Sequence, residues 1–283
     1  MTGTLPEITR DWLGWAELLS PAFFIAAVAL PVGFQARRAR WGFRGFWLLL
    51  AQIAAGGLHL PTLAGVAGLL IEAGAAVLVV RNFRESMRLR TAWQRRWAEE
   101  APIRLAAPFE GRGKALGTGP WAARNHHLAA VDQWFAVDWV RLDAPSRGST
   151  VLAPVDGTVA YVEDGYPDKP ASRRLLRDVA APAGNYVSLR VADRPDACVI
   201  LAHLERDSIL VRPGEWVSAG QPLARCGNSG NTTIPHLHLH AQTAERVSPG
   251  AVRGVPVVSG EQGSWTTCGE QLEGDGGAAI HRV

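Results

Sequence analysis

Histidine and leucine alternate along one short stretch of the chain, Pro235-His236-Leu237-His238-Leu239-His240. In a β-strand, side chains two residues apart point to the same face, with their Cα atoms about 6.5 to 7 Å apart. The imidazoles can therefore project into one site while the leucines pack into a core. A half-exposed sheet edge would show the same alternation, but the glycine-rich turn Gly227-Asn228-Ser229-Gly230-Asn231 just before the stretch favours a site.

The sequence around this stretch is typical of a β protein. From about Ile103 onward, short runs of β-branched residues are separated by Gly, Pro, Asp and Asn. Short strands at this spacing predict an all-β sandwich or barrel. The predicted strands are 135–142, 150–153, 157–162, 186–191, 199–204, 223–226 and 236–241.

Histidines are concentrated in the same part of the chain. The chain has 8 histidines, and all but His59 and His281 lie between His126 and His240. A neutral imidazole is the commonest protein ligand of zinc, and it also exchanges protons near neutral pH. The cluster therefore indicates a metal site or a site of acid–base catalysis.

The stretch from Gly227 to His238, a Gly/Ser/Thr loop followed by Pro-His-Leu-His, resembles the signature of the lysostaphin/LytM-type zinc endopeptidases. Further segments follow upstream in the family's order, and the resemblance covers roughly Asn125 to Gln242. These segments are 153–159, 184–187, 201–204 and 211–223. The resemblance implies an antiparallel β domain, Zn²⁺ as the cofactor, and hydrolysis of peptide bonds, with peptidoglycan cross-links as the expected substrate.

Members of this family bind zinc through an early His and Asp and through the second His of the His-x-His pair. The resemblance thus implies His127, Asp138 and His238 as the zinc ligands. In the commonest form of the family His and Asp are four residues apart, whereas here a loop must separate them. His126 or Asp132 could substitute, and Asp138 could instead be a carboxylate that caps a turn at a strand end.

The two remaining histidines of the family pattern correspond to His203 and His236, which the resemblance implies as catalytic residues. Two imidazoles and one carboxylate leave one tetrahedral zinc position open for water, whose pKa the metal can lower to about 7. The catalytic pair would deprotonate that water and then stabilise the oxyanion or protonate the leaving amine. His203 could instead be a core histidine, and His240 is expected behind the metal site or at the surface.

The N-terminal part of the sequence is apolar. The run 18–34 carries no charge, and the run 46–80 is too long for one comfortable span and divides near Gly56-Gly57 into 46–58 and 60–80. These runs predict a membrane anchor of two or three transmembrane α-helices over residues 1–84. A basic linker helix (85–102), the β metallopeptidase domain (103–260) and a flexible tail (261–283) are expected to follow.

Charge points to lipid as a partner. The formal charge is +3 and the pI about 9.0, but the basic residues cluster at 37–44 and 81–96, beside the apolar runs. Such placement favours lipid headgroups over nucleic acid. A multi-pass protein of the cytoplasmic membrane is expected; three spans would leave the β domain in the cytoplasm, whereas a wall substrate requires it outside.

Three alternatives concern other classes of protein. A biotinyl or lipoyl carrier needs a modifiable lysine at a hairpin tip, and neither Lys114 nor Lys169 lies in such a hairpin. A catalytically silent LytM-like module that regulates a wall hydrolase would lack ligand or catalytic histidines, whereas all five expected positions can be filled here. A membrane sensor whose domain only binds a ligand is the third alternative.

Overall fold

The computed structural model describes residues 63–121, 124–170, 181–248, 252–259, 266, 268–274 and 280–282 of the 283-residue chain. Within them, one long helix, α1 (Leu63–Glu99), precedes a series of short strands. Internal contacts divide the chain between Arg90 and Thr91. The C-terminal turns of α1 therefore belong to the same compact unit as the strands.

The prediction of N-terminal transmembrane helices is wrong for the described part of the chain. No helix there combines the length and apolar character needed to cross a membrane. The span predicted at 60–80 falls mostly in the first half of α1, which continues without a break into the charged stretch from Arg81. The apolar residues are thus part of a longer helix of mixed character. The spans predicted at 18–34 and 46–58 lie outside the described residues.

The strands build a mostly antiparallel β domain, as the sequence predicts for this part of the fold. The strands are β1 (Ile103–Leu105), β2 (Gly111–Leu116), β3 (Val137–Arg141), β4 (Thr150–Leu152), β5 (Gly157–Glu163), β6 (Asn185–Val191), β7 (Cys198–Leu204), β8 (Trp216–Val217), β9 (Pro222–Arg225), β10 (Leu237–Gln242), β11 (Gly254–Val255), β12 (Val257–Ser259), β13 (Gln271–Gly274) and β14 (Ile280–Arg282). The main sheet has the order β14-β13-β2-β3-β10-β7-β6-β5-β8, and β11 also pairs with β10. Two small sheets, β1 with β12 and β4 with β9, complete the domain.

Strand β10 lies between β3 and β7, so both of its edges are hydrogen-bonded. Leu237 and Leu239 face the main hydrophobic core, where they pack with Val137, Trp139 and Leu201. The histidines between and after these leucines point to the opposite face, as the period of two requires. Strands β13 and β14 extend the sheet within residues 261–283, the segment for which the sequence predicts a flexible tail.

Candidate metal centre and catalytic site

Strand register brings the candidate ligands from β3 and β10 together. His238 is the direct antiparallel partner of Asp138 on one side and of Ala202 on the other. Residues directly opposite in an antiparallel pair have their side chains on the same face of the sheet. Asp138 and His238 therefore share one face. His203 comes directly after Ala202 and would point to the other face in a regular strand, but its φ of 63° interrupts the alternation, and its ring centroid lies 5.7 Å from that of His238.

The carboxylate of Asp138 is the centre of the cluster. Its Oδ1 lies 2.9 Å from Nδ1 of His238, 3.2 Å from Nε2 of His127 and 3.4 Å from Nε2 of His236. Its Oδ2 lies 3.6 Å from Nε2 of His126. The structure thus places Asp138 among donor atoms, which is not the geometry of a carboxylate that merely caps a turn.

His127 reaches this cluster from a 3₁₀ turn, His126–Ala129. Asn125 caps the turn, because its side chain accepts a hydrogen bond from the His127 backbone N–H at 3.0 Å. Nδ1 of His127 lies 2.6 Å from the carbonyl oxygen of Gly117, to which it donates a hydrogen bond. A neutral ring then has its lone pair at Nε2, the atom that faces Asp138.

The substitutes considered for His127 and Asp138 occupy different places. His126 has a side chain that is 54% exposed, against 2% for His127, although the donor atoms of His126, His127 and Asp138 all lie within 4.8 Å of one another. Asp132 is buried in the next 3₁₀ turn, Val131–Gln133. Burial lowers the pKa of His240, and the nearby Asp132 opposes that shift without outweighing it.

The two candidate catalytic histidines lie next to each other, with ring centroids 4.9 Å apart. His203 donates from Nδ1 to the carbonyl oxygen of Ser229 at 2.8 Å, and His236 donates from Nδ1 to that of Ile234 at 2.7 Å. In both rings Nε2 is therefore the nitrogen that no backbone carbonyl holds, and in His236 it lies 3.4 Å from Oδ1 of Asp138. His203 has a φ of 63°, a left-handed conformation that is uncommon outside glycine, and its backbone N–H donates to Ala183.

The charges within the cluster are strongly coupled. Burial alone would raise the pKa of Asp138, but His127 and His236 outweigh it and hold that pKa well below its usual value. Burial lowers the pKa of His203 to about 3, and it lowers the pKa of His238 well below the ordinary value. For His236 burial opposes ionisation, yet the carboxylate of Asp138 raises its pKa. An ionised carboxylate thus lies among mostly neutral imidazoles.

This donor set fits a zinc ion. Nε2 of His127 lies 3.2 Å from the carboxylate oxygen Oδ1 of Asp138, a separation that either a proton on the ring or a metal ion bound to both atoms satisfies. Zinc–nitrogen and zinc–oxygen bonds of about 2.0–2.1 Å at a tetrahedral angle place two donor atoms about 3.3 Å apart. The separations of Oδ1 from His238, His127 and His236, which are 2.9, 3.2 and 3.4 Å, all lie close to that value, so distance alone does not select the ligands. The roles of the individual residues as ligands remain predictions.

Sequence reasoning missed the residues that hold the candidate ligands in place. Asn125 and Gly117 fix His127, and Ser229 fixes His203, through contacts that depend on loop conformation. Asn directly before the His-His pair is a cap residue by type, which is the one signal that the sequence offers. His240, expected behind the metal site or at the surface, is buried next to His238, and burial lowers its pKa to about 4.

Part of the chain is similar to known metallopeptidases. Residues 139–249 match the family described as Peptidase family M23. An uncharacterized metalloprotease of Haemophilus influenzae is 37% identical over 93 residues, which are 33% of this chain and 16% of that protein. The chain thus spans well under half the length of this curated relative. The matched family segment contains His203, His236 and His238 and begins directly after Asp138.

This chain is also similar to proteins of known structure, among them two peptidases. A zinc containing peptidase from Vibrio cholerae is 26% identical, with 43% of this chain and 30% of that chain covered at a TM-score of 0.29. The catalytic domain of the antimicrobial peptidase lysostaphin from Staphylococcus simulans is 20% identical, with 51% and 88% covered at a TM-score of 0.32.

Proposed function

Since residues 139–249 form a domain of peptidase family M23, we propose that this chain is a zinc-dependent endopeptidase that hydrolyses peptide bonds of cell-wall peptidoglycan. One observation carries the proposal: Oδ1 of Asp138 has Nδ1 of His238 at 2.9 Å and Nε2 of His127 at 3.2 Å. His203 and His236 stand beside these donors with Nε2 of each ring directed away from its carbonyl partner.

His127, Asp138 and His238 would hold the metal, two imidazoles and one carboxylate, which leaves one tetrahedral position open. Zinc, when bound, supplies a Lewis acid for the scissile carbonyl and an acidified water. The protein supplies a rigid donor set, because the ligand strands β3 and β10 are paired directly at Asp138 and His238. A rigid set avoids the cost of rearranging the ligands during turnover.

His203 and His236 would divide the proton transfers between them. His203 is neutral at pH 7 and presents a lone pair at Nε2, so it is suited to accept a proton from the attacking water. His236 lies next to His203 with its Nδ1 held by the Ile234 carbonyl oxygen, and as a protonated ring it would stabilise a developing oxyanion or pass a proton to the leaving amine. Both rings are held in orientation by a carbonyl oxygen behind Nδ1.

The wall substrate rests on the family resemblance, and it requires that the β domain lies outside the cytoplasm. A periplasm-active reporter fused after Val283 tests this requirement. An active fusion is expected, and a silent but well-expressed fusion would contradict a wall substrate. Binding of the basic stretch 81–96 to lipid headgroups stays a separate prediction.

The decisive experiment measures metal content and hydrolysis of purified peptidoglycan for the full chain and two variants. The wild type is expected to hold about one zinc and to release peptide fragments. His236→Ala should keep the zinc and lose hydrolysis, whereas His238→Ala should lose both. Zinc without hydrolysis in the wild type would contradict the peptidase and favour the silent regulatory module, and stoichiometric zinc in His238→Ala would contradict the ligand set.

A further inference from the structure

Strand β10 carries three polar side chains on the face opposite the core. His238, His240 and Gln242 occupy alternate positions, and all three are buried, with His240 1% and Gln242 0% exposed. Buried polar side chains cost free energy unless each finds a hydrogen-bonding partner. His238 and His240 each find one in the side chain two residues further along the strand, and Gln242 finds two in backbone carbonyls beyond the strand.

The contacts form a continuous line that leads away from the metal site. Nε2 of His238 lies 2.9 Å from Nδ1 of His240, and Nε2 of His240 lies 3.1 Å from Oε1 of Gln242. The Gln242 amide nitrogen then donates to two backbone carbonyl oxygens, those of Ala244 at 2.8 Å and Arg246 at 2.7 Å. The line begins at a candidate zinc ligand and ends on backbone.

Donors and acceptors along this line can be assigned from its far end. Carbonyl oxygens only accept, so the end of Gln242 that faces Ala244 and Arg246 must be its NH₂ group. Its Oε1 therefore accepts from Nε2–H of His240. A neutral imidazole has one N–H, so Nδ1 of His240 is an acceptor and takes the proton of Nε2–H of His238. The lone pair of His238 is then at Nδ1.

We infer that His240 and Gln242 are positioning residues that fix His238 in the tautomer and orientation in which Nδ1 faces Asp138 and the metal. This inference rests on the proposed zinc site. Hydrogen bonds behind a metal-bound histidine set its tautomer and raise its basicity, and their loss typically lowers metal affinity about 10- to 100-fold. The hydrogen bonds thus connect His238, a candidate zinc ligand, to two backbone carbonyl groups through His240 and Gln242.

Packing alone does not account for this arrangement. Leu237 and Leu239 show that the strand carries leucine where a side chain faces the core. On the other face, a leucine at position 240 would also fill space, but it would leave Nε2–H of His238 and Oε1 of Gln242 without partners. An unpaired buried polar group costs about 1–3 kcal/mol. His240 and Gln242 therefore hold the proton of His238 at Nε2, which an apolar residue at position 240 could not do.

The test uses the full chain and two substitutions of His240. His240→Gln keeps an acceptor and a donor at the two ends of a planar group, whereas His240→Leu keeps volume and removes both. Zinc dissociation constants are measured by competition with a chromogenic chelator, and urea unfolding reports whether each variant folds. His240→Leu should bind zinc about 10- to 100-fold more weakly, and His240→Gln should stay within a few-fold of the wild type.

The second measurement is the ¹⁵N chemical shifts of the His238 ring in the zinc-loaded wild type, in which a cation can lie between Nδ1 and Asp138; the shifts report which ring nitrogen carries the proton without any catalysis. We expect the Nε2–H form at pH 7. A predominant Nδ1–H form, or wild-type zinc affinity in folded His240→Leu, would overturn the inference. If His240→Leu does not fold, the tautomer of the wild type and the affinity of His240→Gln decide. Failure of the wild type to bind zinc would overturn the proposed function, whereas zinc bound with His238 in the Nδ1–H form would overturn the inference about His240 and Gln242.

Discussion

The indole nitrogen of Trp93 donates a hydrogen bond to the carbonyl oxygen of Trp134 at 2.8 Å. Trp93 lies in the last turns of α1, and Trp134 lies shortly before Asp138 on the chain. The Trp93 ring stacks on Trp97 with centroids 5.3 Å apart and lies 5.1 Å from Phe135. The end of the helix thus supports the segment that leads into the strand carrying the central carboxylate.

Trp93→Ala should lower the free energy of unfolding by about 3–5 kcal/mol, because it leaves a cavity beneath Phe135. Trp93 is 1% exposed, so little of that loss can be recovered by contact with water. Trp93→Phe keeps an aromatic ring and should lose less, with about 1 kcal/mol from the hydrogen bond. Urea unfolding measures both, and Trp216→Ala is the control, since Trp216 is 56% exposed. If Trp93→Ala lowered the free energy of unfolding no more than Trp216→Ala does, the end of α1 would not stabilise the segment that leads to Asp138.

The neighbouring histidines His126 and His127 offer a matched pair for the metal site. His127→Ala should lose stoichiometric zinc, because its Nε2 lies 3.2 Å from Asp138 and its Nδ1 is held by Gly117. His126→Ala should retain zinc, since its side chain is 54% exposed and reaches only the other carboxylate oxygen, at 3.6 Å. Metal content after dialysis decides. Zinc retained in His127→Ala and lost in His126→Ala would reverse the assignment.

Gly184 packs against Ser229, whose carbonyl oxygen holds the His203 ring, so a substitution there tests this contact. It has a φ of 62°, and a Cβ there would lie 2.5 Å from the carbonyl carbon and Oγ of Ser229, the residue whose carbonyl oxygen holds the His203 ring. Gly184→Ala should therefore displace Ser229 and reduce both stability and hydrolysis. Gly148→Ala is the control, because Gly148 has a φ of 80° but nothing within 4 Å of the added atom.

For the control we expect only the backbone strain, roughly 1–2 kcal/mol, with hydrolysis per folded molecule preserved. Urea unfolding and peptidoglycan hydrolysis are measured side by side for the two variants. Equal losses of hydrolysis in both would show that His203 does not depend on the position of Ser229.

The sequence predicts those parts of the fold and site that follow from local periodicity. Alternation from Leu237 to His240 is enough to assign β10 and the two faces of its side chains. The proximity of His127 to Asp138 is different, because it depends on the loop conformation fixed by the Asn125 cap. No local pattern specifies such a loop, and only the family resemblance indicated the pair.

Long-range contacts also lie beyond local pattern. Trp93 and Trp134 are separated by 41 residues, and nothing in either segment indicates the other. The same holds for the apolar start of α1, where composition alone indicated a membrane span. The structure joins that stretch to a charged continuation as one helix, a continuity that hydropathy in a short window does not consider.

Acid should destabilise the metal-free protein well above the range in which carboxylates titrate. Burial lowers the pKa of His203 from 6.5 to about 3 and that of His240 from 6.5 to about 4. Between pH 6.5 and 4 the unfolded chain binds protons at both rings while the folded chain does not. Stability from these two histidines is thus complete above pH 6.5 and is lost as the pH falls towards the folded pKa values.

His236 does not cancel this effect. Its pKa is raised in the folded protein, so its contribution to the free energy of unfolding changes with pH only above about pH 6.5. Each proton taken up on unfolding corresponds to a slope of about 1.4 kcal/mol per pH unit. Urea unfolding of the metal-free full chain at pH 7, 6 and 5 measures the slope, and His203→Leu should show a shallower one. A free energy of unfolding that stays constant from pH 7 to 5 would mean that the buried rings accept protons in the folded state. It would then also contradict the proposed role of a neutral His203 as proton acceptor.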